Sequence, residues 1–340
     1  MKADLNTLLQ SRILRLDGGL GTMIQALQLE EWDFRGREFL KWKCPLKGCM
    51  DLLCLTAPRS VGAIHRAYLQ AGADIVTTNS FSANAISLKE YGLEKYARRI
   101  AREAARIARE EADKFEGRFV AGSMGPTSKT ASIAASVEDS AARDVTFAEL
   151  AEAYYEQAAG LAEGGVDAFL LETVFDTLNA KAAIFALERL RRDTGCEIPL
   201  MISVTVSQKA GRTLSGQTIE AFWTSVKHGR PLSVGINCSF GAREMLPHLE
   251  RLAAVADCYI SVHPNAGLPN ISGGYDETPE SFADAMKPYA ERGLVNIMGG
   301  CCGTTPDFIK ALGPWWILSR RAACRIHPGR RWSAAWRPSG

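Results

Sequence analysis

The sequence lacks an excess of charge of either sign and long apolar runs, and each absence excludes a class of protein. Its 340 residues contain 40 Lys and Arg against 38 Asp and Glu, so the charge balance gives no reason to expect a nucleic-acid partner. No apolar stretch approaches the roughly 20 residues that a membrane-spanning helix needs. We therefore expect a soluble protein without a membrane partner, acting on a small molecule.

A regular cysteine pattern is also lacking. The nine cysteines are an odd number without the spacing of a disulfide framework, and no Cys-x-x-Cys pair of the kind found in structural zinc knuckles is present. Residues 1–5 contain no apolar core that could serve as a signal peptide. These features favour a reducing, cytoplasmic location.

What the sequence does contain is a regular alternation of short apolar runs and amphipathic segments. Eight runs read as strands, and they lie at residues 13–16, 73–76, 118–121, 167–171, 199–204, 233–236, 259–262 and 295–298. Thr146 and Glu149 open one intervening helix with a capping box, and Gly164 and Gly165 close it. The alternation predicts a parallel α/β fold, a (β/α)8 TIM-type barrel. An open doubly wound sheet is the alternative, but two open sheets would need a linker that the sequence does not contain.

The end of the chain departs from this pattern. Pro306 opens the last helix, but the helical pattern stops at Leu312 after about two turns. Residues 314–340 contain no Asp or Glu, six Arg and four of the seven Trp. We therefore expect a barrel over residues 1–312 with a shortened last helix, followed by an atypical basic tail at 313–340. The tail is either a disordered extension or the product of a shifted reading frame, and we favour the second.

Three cysteines follow predicted strands, and the active site of such a barrel lies at the carboxyl ends of its strands. Cys238 follows the sixth run, and Cys301 and Cys302 follow the eighth. Vicinal cysteines rarely form a disulfide with each other, whereas two thiolates from one loop converge easily on a metal. Three thiolates with one open position are typical of a catalytic zinc site, and three buried structural cysteines are the alternative. Such a zinc would favour a substrate thiol as its fourth ligand, which predicts alkyl transfer to sulfur.

Other strand ends carry acidic residues and glycines. Asp17 and Glu172 could act as acid and base or hold a cationic ligand, and the second role fits better beside a thiol-binding zinc. The turn at Gly18 and Gly19 could offer backbone amides to an anion, although such turns are often only tight turns. For His263 we favour a structural role over a catalytic one.

At this point the motifs resemble a known family. The segments DGGLGTM at 17–23, TNSF at 78–81, NCS at 237–239 and GGCCGTTP at 299–306 are similar to those of the homocysteine S-methyltransferases. Within that family, GSMGPT at 122–127, ETVFDTLNAK at 172–181, GRTLSGQ at 211–217 and HPNAGLPN at 263–270 most resemble the homocysteine-binding domain of cobalamin-dependent methionine synthase. The resemblance runs from about residue 10 to residue 312.

The resemblance implies roles for individual residues. Cys238, Cys301 and Cys302 would bind Zn²⁺ with the homocysteine sulfur as the fourth ligand, and Asn265 would coordinate zinc when the substrate is absent. Glu172 and Asp17 match groups near the amino group of homocysteine, and Gly18 and Gly19 match the backbone that receives its carboxylate. Thr78 and Asn79 are also expected among the substrate-binding residues.

The resemblance implies the source of the methyl group as well. It would arrive on methylcobalamin, which folate-binding and cobalamin-binding modules recharge from 5-methyltetrahydrofolate, and those modules are absent from this sequence. Two alternatives stay open: a stand-alone methyltransferase that uses S-methylmethionine or betaine, and an inactive fragment that only binds zinc or homocysteine. Because a short last helix would bare apolar surface beside Cys301 and Cys302, we expect a fragile site that holds well below one zinc per chain.

Overall fold

A computed structural model describes residues 4–133, 142–207, 211–270 and 273–313. Its strands are β1 (Leu14–Arg15), β2 (Ile75–Thr77), β3 (Phe119–Met124), β4 (Ala168–Val174), β5 (Leu200–Val204), β6 (Ser233–Asn237), β7 (Tyr259–His263) and β8 (Ile297–Met298). All eight predicted runs are therefore strands.

Helices alternate with the strands. They are α1 (Leu5–Ser11), α2 (Leu20–Ala26), α3 (Glu31–Arg35), α4 (Leu53–Thr56), α5 (Pro58–Gln70), α6 (Ala85–Leu88), α7 (Ala97–Ala112), α8 (Phe147–Glu163), α9 (Thr177–Thr194), α10 (Ile219–Val226), α11 (Ala242–Val255), α12 (Pro279–Glu291) and α13 (Pro306–Ala311). Short 3₁₀ turns lie at Met50–Leu52, Lys89–Tyr91, Glu94–Tyr96 and Lys227–Gly229. None of these helices is both long and apolar enough to cross a bilayer.

The strands form one parallel sheet that curls into a barrel. Their order is β1-β8-β7-β6-β5-β4-β3-β2, and a single parallel bridge from Leu16 to Ile75 brings the two edge strands together. Hydrogen bonds from Asp74 N to Arg15 O (2.7 Å) and from Asp17 N to Ile75 O (3.0 Å) flank that bridge. This confirms the predicted (β/α)8 barrel and rules out the open doubly wound sheet.

Alternate residues of each strand face two separate apolar layers. The inner layer fills the barrel and includes Leu14, Phe119, Leu170 and Met201, whereas the outer layer lies between the strands and the helices. Helix α1 packs Leu5 and Leu9 onto the inner layer. The lumen is therefore a packed core, and the polar strand ends lie on top of it.

Two local predictions at helix ends are confirmed. Thr146 Oγ1 accepts from Glu149 N at 3.2 Å, and Thr146 N donates to the Glu149 carboxylate at 2.8 Å, which is the predicted capping box at α8. Within the described residues, α13 has six residues, against 16 to 18 in α7, α8 and α9. The expectations for the tail at 314–340 lie outside the described residues.

Candidate metal centre

The three predicted cysteines come together at the carboxyl end of the barrel. The sulfur atoms of Cys238, Cys301 and Cys302 all lie within 4.8 Å of one another, and those of Cys238 and Cys302 are 3.4 Å apart. Among the described residues they form the one group of three or more His, Cys, Asp or Glu side chains with such spacing. All eight described cysteines are free thiols.

The loop after β6 holds Cys238 in an unusual backbone conformation. Cys238 has a φ of +52° and Thr173, at the end of β4, has a φ of +58°, in the left-handed region that non-glycine residues seldom adopt. Asn237 joins these segments, because its Oδ1 accepts from Thr173 N at 2.9 Å and its Nδ2 donates to Thr173 Oγ1 at 2.8 Å. The buried side-chain amide of Asn237 therefore stabilises the strained backbone at Thr173 and Cys238.

The loops after β7 and β8 interlock around the vicinal pair. Cys301 N donates to Pro264 O at 2.7 Å, and Ala266 N donates to Cys302 O at 2.9 Å. The side chain of Asn265 accepts from Cys302 N at 3.2 Å through Oδ1. Asn265 thus lies beside the cysteines, as the resemblance implies, and in this structure its oxygen supports their backbone.

The electrostatics of the cluster differ among the three sulfurs. Hydrogen bonds with Cys238 and Cys302 raise the pKa of Cys301 well above its usual range, while hydrogen bonds from Cys238 and Cys301 lower the pKa of Cys302 to about 3. A divalent cation would stabilise all three thiolates, because metal binding releases the remaining protons.

The donor set fits a tetrahedral metal site. Four ligands at a metal–sulfur distance of about 2.3 Å stand roughly 3.8 Å from one another, which lies close to the separation seen here. Three sulfurs leave one tetrahedral position for another ligand. These three cysteines could therefore hold a soft divalent metal and leave one position open.

Two carboxyl groups lie near the cysteines, and Asp17 is buried whereas Glu172 is half-buried. Burial raises the pKa of Glu172 to about 7, although a hydrogen bond from Ser123 Oγ opposes the shift. Burial also raises the pKa of Asp17 well above its usual range, against hydrogen bonds from Thr77 N (2.7 Å) and Thr77 Oγ1 (3.1 Å). Glu172 raises the pKa of Asp17 further, so the pair would gain stability from a cationic ligand.

The glycine turn after β1 packs tightly against the cysteine loop. A Cβ at Gly18 would lie 2.7 Å from Thr304 Oγ1, and one at Gly19 would lie 2.6 Å from Cys301 O. Gly19 N donates to Thr304 Oγ1 at 3.0 Å and to Thr304 O at 3.2 Å. Glycine is therefore needed at both positions so that the turn can approach the loop after β8. The N–H group of Gly19 already has hydrogen-bond partners within the protein.

The remaining predicted residues are buried and bonded to the scaffold. Thr78 Oγ1 accepts from Ser123 N at 2.9 Å, and Asn79 Nδ2 donates to Met50 O at 2.8 Å. Burial lowers the pKa of His263 to about 4, so this imidazole is neutral at pH 7, and its Nε2 has no partner among the described residues. Thr78 and Asn79 hold the loop after β2 beside the site.

Tyr275 is a site residue that sequence reasoning missed. Its Cβ and ring atoms pack against Gly303, whose φ is +80°, in the loop that carries Cys301 and Cys302. Burial raises the pKa of Tyr275 to about 12, so the hydroxyl keeps its proton and can donate. It belongs to the loop after β7, and nothing in its local sequence signals a contact with Gly303.

Comparison with known proteins identifies the family of this chain. A model of the homocysteine S-methyltransferase family matches residues 14–314. The chain belongs to this family. The predicted family resemblance is thereby confirmed.

Solved structures agree with this fold. The homocysteine methyltransferase MmuM from Escherichia coli, in its metallated form, is 19% identical with a TM-score of 0.69, and the match covers 91% of this chain and 98% of that one. The oxidised form of MmuM is also 19% identical, with a TM-score of 0.67 and coverage of 88% and 94%. At such identity these likenesses establish the barrel architecture.

Proposed function

We propose that this protein transfers a methyl group to the thiol of homocysteine, giving methionine, in a zinc-dependent reaction. The observation that carries the proposal is the group of three cysteine sulfurs within 4.8 Å of one another at the carboxyl end of a homocysteine S-methyltransferase barrel. Cys238, Cys301 and Cys302 would hold the zinc. When bound, zinc would lower the pKa of the substrate thiol and make its sulfur a nucleophile at neutral pH.

The chain's own residues would hold the amino acid around that sulfur. The carboxyl groups of the half-buried Glu172 and the buried Asp17 would receive the ammonium group, whose positive charge would offset the desolvation that raises the pKa of both. The turn at Gly18 and Gly19 would receive the carboxylate through amides other than that of Gly19, which Thr304 engages. Asn265 would serve as a fourth zinc ligand before substrate binds. Thr78 and Asn79 would shape the site through the loop after β2.

In the reaction itself, the homocysteine sulfur attacks the methyl carbon. A sulfur–carbon bond forms while the bond between the methyl group and its donor breaks, and the thiol proton has already left. We propose methylcobalamin as the donor, supplied together with folate-binding modules by another domain or chain, because the motifs most resemble cobalamin-dependent methionine synthase. A cytoplasmic location belongs to the same proposal, since the site needs reduced cysteines.

A second candidate keeps the chemistry and changes the donor. The structural match covers 98% of the chain of the methyltransferase MmuM, so a barrel of this length can make up an entire methyltransferase chain. This observation favours a stand-alone enzyme that takes the methyl group from S-methylmethionine or betaine. An inactive zinc-binding or homocysteine-binding fragment would bind without turnover of any donor.

One experiment separates these functions. The full chain, loaded with zinc and assayed for its zinc content, is incubated with homocysteine and with methylcobalamin, S-methylmethionine or betaine in turn, and methionine is measured. Methionine from methylcobalamin alone supports the first proposal, whereas turnover of either small donor replaces it with the second. Homocysteine binding without any turnover identifies a fragment, and a zinc-free protein overturns the proposal.

The Glu172→Gln variant tests the substrate site. Gln keeps the size and polarity of the side chain but loses the negative charge, so the ammonium group loses a half-buried ionic partner. We expect homocysteine to bind at least roughly ten-fold more weakly at pH 8, measured by calorimetry on the zinc-loaded protein. Glu188→Gln, on the exposed side of α9, is the matched control. Wild-type affinity in Glu172→Gln would exclude this role.

A further inference from the structure

Glu172 can hold an ammonium group in one place only if its own carboxyl group is held, a requirement that rests on the proposed function. Among the described residues, the one hydrogen-bond donor to this carboxyl group is Ser123 Oγ, which contacts Oε1. Asp17 differs, because Thr77 donates to it through both N and Oγ1. The direction of the Glu172 carboxyl group therefore depends on a single serine.

Ser123 reaches Glu172 from the neighbouring strand. In the pairing of β3 with β4, Ser123 lies opposite Leu170, two residues before Glu172. Leu170 belongs to the inner apolar layer, and paired residues of neighbouring strands point to the same face of a sheet. The Ser123 hydroxyl therefore approaches Glu172 from inside the barrel.

Ser123 is itself fixed by a buried cluster of polar side chains. Ser123 N donates to Thr78 Oγ1 at 2.9 Å, and Ser80 Oγ donates to Ser123 O at 2.7 Å. The hydroxyl oxygens of Thr78 and Ser80 are 2.6 Å apart, and Gln157 Nε2 donates to Ser80 O at 2.6 Å from α8. All four side chains are buried. Because both main-chain groups of Ser123 are bonded in this cluster, the position from which its hydroxyl donates is fixed.

We propose that Ser123 is a positioning residue for recognition of the substrate amino group. Its hydroxyl holds Oε1 of Glu172 and leaves Oε2 for the ammonium group of homocysteine. A hydrogen bond to an ionised carboxylate is stronger than one between neutral groups, and a group that is held before its ligand arrives loses less conformational entropy on binding. The site consequently selects a thiol acid with an α-amino group over one without it.

Two thiol acids that differ only in the amino group test the proposal. The probes are homocysteine and 4-mercaptobutanoate, and their dissociation constants are measured by calorimetry at pH 8 on the full chain loaded with zinc. The ratio of the two constants gives the preference for homocysteine. In Ser123→Ala we expect this preference to fall roughly five- to ten-fold, while the constant for 4-mercaptobutanoate changes less than roughly two-fold, since only homocysteine loses an oriented partner.

Other variants separate positioning from a structural role. Ser203→Ala is the matched control, because this buried hydroxyl donates to Asn237 Oδ1 at 2.6 Å and not to a carboxylate, so the preference should stay as in the wild type. Ser80→Ala keeps the Ser123 hydroxyl but removes a bond that fixes its main chain, and we expect a smaller fall of roughly two-fold. Adding Ser123→Ala to Glu172→Gln should not lower the preference further. Urea titration checks that each variant is folded.

Three results would overturn the assignment. They are equal weakening of both thiols in Ser123→Ala, which would mark a structural role, an unchanged preference in that variant, and a further fall when it is added to Glu172→Gln. If Ser123→Ala does not fold, an unchanged preference in Ser80→Ala overturns the assignment instead. Failure of the proposed function is a different outcome, because it would appear in the wild-type protein as missing zinc or as absent methionine formation.

Discussion

At the residue scale, the cysteine cluster depends on polar side chains that are buried beneath it. Asn237 is fully buried, and its Oδ1 accepts from Ser203 Oγ at 2.6 Å as well as from Thr173 N. It therefore anchors the two left-handed residues of the site, Thr173 and Cys238, to the strand ends. An apolar residue at 237 would leave these donors unpaired in the core, at a cost of about 1–3 kcal/mol each.

Other buried polar groups have no such partners, and His65 is the clearest case. It is fully buried in α5, and neither ring nitrogen has a hydrogen-bond partner among the described residues. Burial lowers the pKa of His65 from 6.5 to about 4, so the folded protein holds this ring neutral. The unfolded chain then binds more protons between pH 6.5 and pH 4.

The first prediction follows from the larger number of protons that the unfolded chain binds in this pH range. The contribution of His65 to stability is complete above pH 6.5 and is lost as the pH falls toward 4, by about 2 kcal/mol at pH 5. We expect His65→Leu to flatten the fall of the unfolding free energy between pH 7 and pH 5, measured by urea titration. His65→Gln, which also cannot titrate, should flatten it equally. A wild-type slope in both variants would contradict the prediction.

The sequence was sufficient to predict that Cys238, Cys301 and Cys302 come together, because they follow two apolar runs. Cys238, Cys301 and Glu172 could be placed at one edge of the sheet by topology alone. Tyr275 and Ser123 could not be assigned, because their contacts with Gly303 and Glu172 depend on the path of a loop and on the neighbouring strand. The hydrogen bond from Gly19 N to Thr304 Oγ1 joins residues 285 positions apart, so the sequence could not predict it either.

At the element scale, helices α7 and α8 pack unusually closely because glycines face α7. A Cβ at Gly160 would come closer than 3.0 Å to the backbone oxygen of Arg98, and one at Gly164 would come equally close to that of Arg102. The atoms in the way are backbone atoms, which cannot rotate aside. The α7–α8 spacing is therefore set by the missing side chains.

The second prediction concerns Gly160→Ala. In an unhindered helix this substitution stabilises by roughly 0.5–1 kcal/mol, but here the methyl group must push the helices apart. We expect a net loss of roughly 1–3 kcal/mol in the free energy of unfolding, measured by urea titration. Gly62→Ala in α5 is the matched control, because the nearest atom to its Cβ would be the end of the Glu111 side chain at 3.3 Å, and no backbone atom is among its nearest neighbours. Equal effects in the two variants would contradict the argument.

Most elements could be predicted because their local signals agree with the barrel. The capping box at Thr146 and the glycines at 164 and 165 marked both ends of α8 correctly. Helix α1 was not predicted, since its seven residues carry no strong hydrophobic periodicity. Its position depends on the packing of Leu5 and Leu9 onto the inner layer at one end of the barrel. The lengths of β1 and β8 were overestimated for a related reason: apolar flanking residues do not reveal where pairing stops.

At the scale of the whole molecule, the barrel is closed by few hydrogen bonds where β1 pairs with β8 on one side and meets β2 on the other. We call this region the seam. Strands β1 and β8 have two residues each, against seven in β4, and one bridge joins β1 to β2. Asp74 fastens the amino end of the seam, since it accepts from Arg12 and Arg118 at 2.7 Å. At the carboxyl end, Gly300 N donates to Asp17 O at 3.0 Å.

Two of the three clustered cysteines lie next to this seam. Cys301 and Cys302 follow β8 directly, and the helix after them, α13, ends at Ala311. Residues 314–340 lie outside the described part of the chain. The expectation of a fragile site that holds well below one zinc per chain therefore stays a prediction, and full occupancy with a high melting temperature would count against it.

The third prediction tests whether metal holds the seam together. Because zinc would link the loop after β6 to the loop after β8, its removal should loosen the ring first at its shortest strands. After chelation, we expect amide hydrogen exchange in β1 and β8 to rise at least roughly ten-fold more than in β4 and β5. Cys301→Ser should show this fast exchange without chelator, and Cys196→Ser, outside the cluster, should respond as the wild type does. An equal rise in amide hydrogen exchange along all eight strands would contradict the prediction. It would mean that the metal stabilises the barrel as one unit and that the seam does not open before the other strands.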